Sequence, residues 1–152
     1  MSEIFKKLQL KTANPILIVD APDEFQPHLA ELDDSVQVHS ETSADELYEL
    51  ALFFVKSAAA IDEAAASASA SISDDGLLWF AYPKKSSKSY KTDISRDNGW
   101  QPLGDLGFEP VRLIAIDADW SALRFRRVGN IKTMTRSFAM SEEGKKRTKK
   151  KK

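Results

Sequence analysis

The sequence predicts an α/β fold, in which helices cover both faces of a mostly parallel sheet of six strands, a three-layer arrangement. Three observations support this prediction. Short apolar, β-branched runs alternate with segments of helical period, as in domains built on parallel sheets. Turn residues such as Asp, Gly and Pro separate the two kinds of segment. The last two apolar runs are joined by a short turn, which indicates an antiparallel hairpin at the carboxyl end of the domain.

The first two strands are short. Ile16–Val19 is an uninterrupted apolar run, which is typical of a strand that is buried on both faces. Residues 22–32 predict a helix with Phe25, Leu29 and Leu32 on one face, and Val36–His39 predicts the second strand.

Residues 43–72 allow two interpretations. Ser43 and Glu46 form a capping-box pattern, but a single helix over residues 44–72 would be long for a globular domain. It would also contain Leu50–Val55, a run more typical of a central strand. We therefore predict a third strand over Tyr48–Val55 and an Ala-rich helix over Ser57–Ile72, whose apolar stripe consists of Ile61, Ala65, Ala68 and Ile72.

The second half repeats the alternation. Ser73–Gly76 predicts a turn, and Leu77–Tyr82 predicts the fourth strand. Thr92 or Asp93 is expected to cap a helix that continues, with irregularities, to about Leu106. The predicted hairpin then consists of strands Val111–Ile116 and Ser121–Arg127, in which Leu123 and Phe125 face inward while Arg124 and Arg126 face water.

This hairpin resembles the closing strands of class I methyltransferases. The analogy implies a reduced methyltransferase-like or Rossmann-like sheet with the strand order 2-1-3-4-6-5, in which the last strand lies between strands four and five.

The chain of 152 residues is expected to form a single domain over residues 1–128, with residues 1–13 as a lead-in and residues 129–152 as a tail. The absence of cysteine excludes disulfides and thiolate metal sites, and we predict no metal site and no cofactor. Residues 1–12 lack the apolar core of a signal peptide, and four charges interrupt the most apolar region, Leu47–Ala70. We therefore expect a cytoplasmic protein that does not associate with membranes.

The net charge of −1 conceals a basic tail. Lys145–Lys152 (KKRTKKKK) contains seven of the 22 basic residues, so the remainder carries 15 basic and 23 acidic residues, a charge of −8. We interpret the tail as a disordered, solubilising end. The alternative is weak, salt-dependent binding of nucleic acid through Lys145, Lys146, Arg147 and Lys149.

Ligands of open parallel sheets collect beyond the carboxyl ends of the strands, next to the switch in strand order. Here that position is next to the loop after strand one, which contains the candidate base Asp20 but none of the glycines of a nucleotide-binding loop. Glu41, just after strand two, is suitable for a hydrogen bond to a ribose. The alternative is that Glu41 only belongs to the segment that precedes the capping-box pattern of Ser43 and Glu46.

Two further segments are candidate ligand sites. The basic loop after strand four contains Lys84, Lys85, Ser86 and Lys88, and Thr92 and Asp93 follow it. These side chains would form a site for a small anion. The alternative is an ordinary solvated loop. Trp120 and Ser121 follow the acidic hairpin turn, where the alternative is that Trp120 covers one end of the core. Histidines at metal-ligand spacing, a nucleophile elbow and a phosphate-binding glycine loop are all missing from the sequence.

Several of these segments together resemble the bacterial family known as domain of unknown function 3052. The resemblance extends over about residues 14–128, and its motifs are Gly76–Lys88, Thr92–Ile94, Arg96-Asp97, Gly107, Val111–Asp117 and Asp119–Phe125, with Ala21-Pro22 and Phe54–Ser57 as shorter matches. It supports a third strand rather than one long helix, but it implies no activity. It directs attention to Pro83, Lys84, Lys85, Ser86, Thr92, Asp93, Trp120 and Ser121.

The sequence therefore predicts a non-catalytic protein that binds a small anion or a protein partner at the carboxyl ends of its strands. One alternative is an enzyme acting on a nucleotide-like or acidic metabolite, with a lysine clamp of Lys84, Lys85 and Lys88 and with Asp20 or Asp93 as base. Another is a nucleic-acid-associated protein that uses its basic tail.

Overall fold

The computed structural model describes residues 3–43 and 45–130 and contains one sheet of six strands in the order β2-β1-β3-β4-β6-β5, as predicted. The strands are β1 (Ile16–Val19), β2 (Val38–His39), β3 (Tyr48–Phe54), β4 (Ile72–Pro83), β5 (Phe108–Ala115) and β6 (Trp120–Arg127). The α-helices are α1 (Glu3–Lys7), α2 (Gln26–Ala30), α3 (Ala58–Ser71) and α4 (Gln101–Asp105), and 3₁₀ turns occupy Asp23–Phe25 and Val128–Asn130. The predicted basic tail lies outside the described residues.

The sheet is parallel from β2 to β4 and antiparallel where β6 pairs with β4 and β5. Strand β1 lies between β2 and β3, so the order of the strands reverses next to β1. The carboxyl ends of these three parallel strands meet at one edge of the sheet, which is where ligands of such folds bind.

The predicted third strand and the Ala-rich helix are confirmed. Strand β3 is almost completely buried, because the sheet is covered on both faces. Helix α3 presents Ile61, Ala65 and Ala68 to the sheet, and its small side chains allow the helix to approach the strands closely. Helix α4, Trp100 and Phe108 complete the core on this face.

The opposite face is covered by the N-terminal segment, which the sequence predicts only as a lead-in. Ile4, Phe5 and Leu8 are buried, and Phe5 contacts Phe25 with ring centroids 5.8 Å apart. The indole N–H of Trp79 donates to the backbone oxygen of Leu8 at 3.1 Å, which satisfies a fully buried donor. Residues 3–13 are therefore part of the core rather than an appendage.

The same segment changes the environment of the hairpin. Arg124 was predicted to face water, but its side chain is half-buried. Its Nη1 donates to Oε1 of Gln9 at 3.2 Å, and burial lowers the pKa of its guanidinium group. Arg126 is partly exposed and pairs with both carboxylate oxygens of Asp75, at 3.1 and 2.8 Å.

Strand β4 begins earlier than predicted. Ile72 already pairs with Tyr48, and Leu77 pairs with Leu50, so Ser73–Gly76 is accommodated as an irregularity within the strand and not as a separate turn. The backbone of Leu77–Tyr82 then follows the predicted path, and Trp79 and Phe80 are fully buried on opposite faces.

Two helix predictions require correction. The helix predicted from Thr92 to about Leu106 is wrong, because α4 contains only the five residues Gln101–Asp105. Gly99 has a φ of +105°, which a helix does not contain. The helix predicted over residues 22–32 is reduced to a 3₁₀ turn and the short α2. Among the described residues, the structure contains no helix that combines the length and hydrophobicity required to cross a membrane.

Candidate functional site

A cleft of about 750 Å³ lies at the carboxyl ends of β1, β2 and β3, and one side of α3 closes it. Its floor is formed by the ends of β1 and β3, including Val19 and Phe53, and Leu29 and Val38 line its sides. The remaining lining residues are Ile18, Asp20, Ala21, Gln26, Ser40, Glu41, Thr42, Phe54, Val55, Ala60, Glu63, Ala64 and Ser67. The cleft therefore occupies the position that the switch in strand order predicts.

Three carboxylates define the charge of this cleft. Asp20 directly follows β1, Glu41 lies two residues after β2, and Glu63 lies on the exposed side of α3. Of the cleft-lining residues in the described part of the chain, none is Lys or Arg. The lining thus combines an apolar floor with a negatively charged rim.

The loop after β1 bends without a glycine. Asp20 itself adopts a φ of 60°, a left-handed conformation that Asp tolerates better than most residues. Pro22 then removes one backbone N–H donor from the loop. The loop consequently presents carboxylate oxygens to the cleft, where a phosphate-binding loop would present backbone N–H groups.

The basic loop after β4 is held in place by its backbone and by Ser87, not by its lysines. The Lys84 N–H donates to the backbone oxygen of Asp119 at 2.7 Å, and Ser87 Oγ donates to Asp119 Oδ1 at 2.8 Å. Ser87 Oγ also accepts from the N–H of Tyr90 at 3.1 Å. Lys85, Ser86 and Lys88 are exposed, so their polar groups are accessible to an anion, but none of the lysines lines the cleft.

A network of side chains joins the basic loop to the segment after β1. Tyr90 donates to Glu24 Oε2 at 2.6 Å, and the indole N–H of Trp120 donates to the same oxygen at 3.2 Å. Lys56 Nζ lies 4.9 Å from the centroid of the Tyr90 ring, within the range of a cation–π contact. The hydrogen bond from Tyr90 lowers the pKa of Glu24, and the same bond raises the pKa of Tyr90 to about 12.

Trp120 has a packing role in this network. Only 1% of its surface is exposed, and it packs against Phe54 and Tyr90 at centroid distances of 5.2 and 5.0 Å. Asp117 Oδ1 accepts the N–H groups of Asp119 and Trp120, each at 2.8 Å, which forms the hairpin turn. These contacts match the alternative in which Trp120 covers one end of the core. Ser121 is partly buried on β6, where it pairs with Tyr82 and Ala115.

Thr92 and Asp93 do not cap the helix that was predicted to begin there. Thr92 Oγ1 accepts from the N–H of Ile94 at 3.0 Å, which is a local turn. Asp93 Oδ1 accepts from the N–H of Ala58 at 2.8 Å, and it therefore satisfies a donor at the first turn of α3.

The structure thus separates the predicted site residues into groups. Asp20 lies in the cleft, while the lysines and Ser86 lie on the neighbouring loop; Thr92, Asp93 and Trp120 make internal hydrogen bonds. Glu63 was not among the predicted site residues. An exposed acid on an Ala-rich helix is recognisable as a site residue only when the packing of α3 beside β1 is known. Within the described ranges, no three His, Asp or Glu side chains converge as metal ligands would.

Comparison with known proteins identifies the fold but no family. No family model and no characterised protein sequence matches the chain. Among solved structures, it is similar to the N-methyltransferase NodS from Bradyrhizobium japonicum WM9, with 12% identity, coverage of 82% of this chain and 92% of that chain, and a TM-score of 0.51. The fold is that of the class I methyltransferases.

Two other solved structures are similar at lower scores. A putative type 11 methyltransferase from Sulfolobus solfataricus has 11% identity, coverage of 91% of this chain and 82% of that chain, and a TM-score of 0.47. A structure of a fibrillarin/Nop5p complex has 12% identity, coverage of 78% and 74%, and a TM-score of 0.48.

The methyltransferase-like fold raises the question of whether the cleft suits S-adenosylmethionine. Glu41, after β2, is well placed along the chain to accept hydrogen bonds from ribose hydroxyls. The amino-acid carboxylate of the cofactor fits less well, because the described lining offers it no cation and the loop after β1 presents Asp20 and the donor-free Pro22. The described lining therefore offers a carboxylate acceptor for hydroxyl groups and no cation for the carboxylate of the cofactor.

Proposed function

We propose that this protein binds a neutral or cationic nucleoside-type molecule in the cleft at the ends of β1, β2 and β3. The observation that supports this proposal is the combination of an apolar floor with carboxylates on the rim, at the position where methyltransferase-like sheets bind ligands. The proposal corresponds to a methyltransferase-type site that retains ligand binding without the glycine-rich loop.

The lining offers a partner for each part of such a molecule. Glu41 provides acceptors for a ribose diol, and a carboxylate accepts two hydroxyl donors more strongly than a neutral group does. Val38 and Phe53 provide apolar contact for a planar base. Asp20 and Glu63 favour a positively charged or hydroxyl-bearing substituent on the remaining part of the ligand.

The charge of the cleft also indicates which ligands it rejects. A phosphate or carboxylate placed near Asp20, Glu41 and Glu63 would meet like charges in a partly desolvated space. We therefore assign the predicted small-anion site to the basic loop after β4 and not to the cleft.

Isothermal titration calorimetry with four related compounds tests this proposal. We expect adenosine and 5′-methylthioadenosine to bind more tightly than adenosine monophosphate, whose phosphate is anionic. S-adenosylhomocysteine should fall between them, because its ammonium group suits the acidic rim and its carboxylate does not. Glu41→Gln should weaken adenosine binding about tenfold or more, because hydrogen bonds to charged groups contribute about 1.5–3 kcal/mol.

Glu49→Gln is the matched control, because Glu49 is an exposed acid on β3 that does not line the cleft. Absence of heat with all four compounds would remove the proposal. Equal loss of affinity in both variants would show that Glu41 has no specific role.

Methyl transfer is a second candidate, favoured by the likeness of the fold to that of the N-methyltransferase NodS. It requires that S-adenosylmethionine, which is a sulfonium cation, bind in the cleft despite its carboxylate. Binding of S-adenosylmethionine that is at least as tight as that of adenosine, and is lost in Glu41→Gln, would favour this candidate over simple nucleoside binding.

A further inference from the structure

The two edges of the sheet differ in a way that the proposed ligand site does not explain. The edge strand β2 contains only two residues, which is a common means of protecting a sheet edge. The opposite edge strand β5 contains eight residues, and its Val111 and Leu113 are 40% and 44% exposed. A long edge with exposed apolar side chains is a template for pairing with another strand.

The backbone of β5 presents unused pairing groups along this edge. The N–H of Ile116 donates to Trp120 across the hairpin at 2.9 Å, so Ile116 directs its groups toward β6. Because backbone groups alternate along an antiparallel strand, Leu113 and Ala115 direct theirs away from β6. The Ala115 oxygen already accepts from Lys7 Nζ at 3.2 Å, which agrees with this assignment and leaves Leu113 as the central outward-facing residue.

A groove of about 280 Å³ follows the same edge. Pro110, Val111, Leu113 and Leu123 provide its apolar part, and its charged lining consists of Arg96, Asp97 and Arg112. Arg96 and Asp97 pair with each other within one chain at 3.5 Å, so the charges of the groove do not by themselves select a partner. The backbone of the edge is self-complementary, because the outward N–H and C=O of Leu113 can meet the C=O and N–H of the same residue in a copy across a two-fold axis.

We propose that β5 pairs with β5 of a second copy of this chain in an antiparallel manner, with Leu113 opposite Leu113 of the second copy. The two sheets then form one continuous sheet across a two-fold axis. The two Leu113 residues exchange both of their N–H···O bonds, and Val111 and Leu113 of both copies cover the apolar grooves.

The register follows from eliminating its neighbours. Moving the two-fold axis by one residue toward the amino end of β5 would place Arg112 opposite Arg112 of the second copy. Directly opposed like charges are destabilising. A shift of the two-fold axis by one residue toward the carboxyl end would place Ala115 in both central hydrogen-bonded pairs, although its oxygen already accepts from Lys7. With Leu113 opposite Leu113, Ala115 lies opposite only Val111, at the irregularity where the ladder ends. The regular ladder also ends at the irregularity between Pro110 and Arg112, which limits pairing to the region around Leu113.

Cysteine cross-linking of the full chain tests this register, because the protein contains no natural cysteine. In the proposed pair the two Leu113 Cα atoms are about 5.5 Å apart, within the range that a disulfide spans. Leu113→Cys should therefore convert most of the chain to a covalent dimer under mild oxidation. Arg112→Cys should cross-link several-fold less, since its diagonal separation of about 7–8 Å exceeds that range.

Sedimentation equilibrium provides a second measurement that does not depend on oxidation. The unmodified full chain should sediment with the mass of two chains, and Leu113→Lys should reduce it to the mass of one. Leu47→Lys is the matched control, because Leu47 is 63% exposed and lies outside β5, and it should leave the dimer intact.

A chain that stays monomeric at every concentration overturns the proposal, as does a dimer that Leu113→Lys leaves intact. Cross-linking at Arg112→Cys that equals or exceeds that at Leu113→Cys overturns the register. Circular dichroism confirms that each variant is folded before its mass is interpreted; because Leu113 is exposed in one chain, its replacement should not unfold the monomer.

Discussion

Asp93 accepts a hydrogen bond from the backbone N–H of Ala58 at 2.8 Å, although the two residues are 35 positions apart in the sequence. The N–H of Ala60, two residues further along α3, donates to Ser57 Oγ at 3.1 Å. Two of the four donors that a helix leaves unpaired at its start are therefore satisfied, one locally and one by a distant loop. This bond fixes the loop after β4 to the helix that closes the cleft.

Replacement of Asp93 should destabilise the protein through this cap. Asp93→Ala is expected to lower the free energy of unfolding by about 1 kcal/mol, the usual cost of removing a capping side chain. Asp93→Asn should retain most of the stability because its amide oxygen still accepts the bond. Urea unfolding of both variants measures the difference, and equal losses for Ala and Asn would contradict a capping role.

The N-terminal segment should be essential for stability. Phe5→Ala removes a fully buried ring that packs against Phe25, and we expect a loss of about 3–5 kcal/mol in the free energy of unfolding. The neighbouring Lys6 is exposed, so Lys6→Ala should change the stability by less than about 0.5 kcal/mol. Urea denaturation compares the two variants, and similar effects would show that residues 3–13 are not part of the core.

The bond between Tyr90 and Glu24 should make stability depend on pH at both extremes. The pKa of Glu24 is below its ordinary value of 4.5, so the stabilisation is present above pH 4.5 and is lost as the pH falls through the folded-state pKa. The pKa of Tyr90 is raised from 10.0 to about 12, so stabilisation is present below pH 10.0 and is lost between pH 10.0 and about 12.

Tyr90→Phe should make the pH dependence shallower in both windows, because it removes the titrating hydroxyl of Tyr90 and the largest cause of the lowered pKa of Glu24. The hydrogen bond from Trp120 remains, so part of the Glu24 dependence should persist. Thermal unfolding at a series of pH values measures this effect. Curves for the variant that run parallel to those of the unmodified protein would show that the bond contributes no pH-dependent stability.

The basic loop should bind anions independently of the cleft. We expect inorganic triphosphate, which has no nucleoside for the cleft, to raise the melting temperature, since a ligand at a hundred times its Kd stabilises a protein by about 2.7 kcal/mol. Replacing both Lys84 and Lys85 by Ala should abolish the shift, whereas Lys6→Ala with Lys11→Ala, two exposed lysines elsewhere, should not. A shift that survives in the first double variant would exclude the loop as the anion site.

The fold could be predicted because its signals are local. The apolar runs around Ile18, Phe53 and Phe80 are strongly β-branched or aromatic, and they alternate with turns and with the Ala-rich helix. The helix predicted after Thr92 is wrong because a capping side chain can accept from a helix elsewhere in the chain, not only from the residues that follow it. Asp93 accepts from the first turn of α3 instead. Gly99 and Pro102 already indicated that this region departs from helical geometry.

The candidate site was only partly predictable. Asp20 and Glu41 follow recognisable strands, so the sheet topology alone places them at one edge. Glu63 acquires its place only through the packing of α3 against the sheet, and Trp120 becomes a core residue because Phe54, Tyr90 and Glu24 surround it. Such neighbours come from distant parts of the chain, and single-sequence patterns do not contain them.

The sequence by itself determined the order of the strands along the chain, the position of the Ala-rich helix and the class of fold, because these depend on hydrophobic periodicity and on turn chemistry within short windows. Only the tertiary structure decided that residues 3–13 complete the core and that three carboxylates surround one cleft. It also decided that β5 exposes Leu113 at a free edge. These features depend on contacts between distant segments, whose energies are set by burial and hydrogen-bond partners that exist only after the chain has folded.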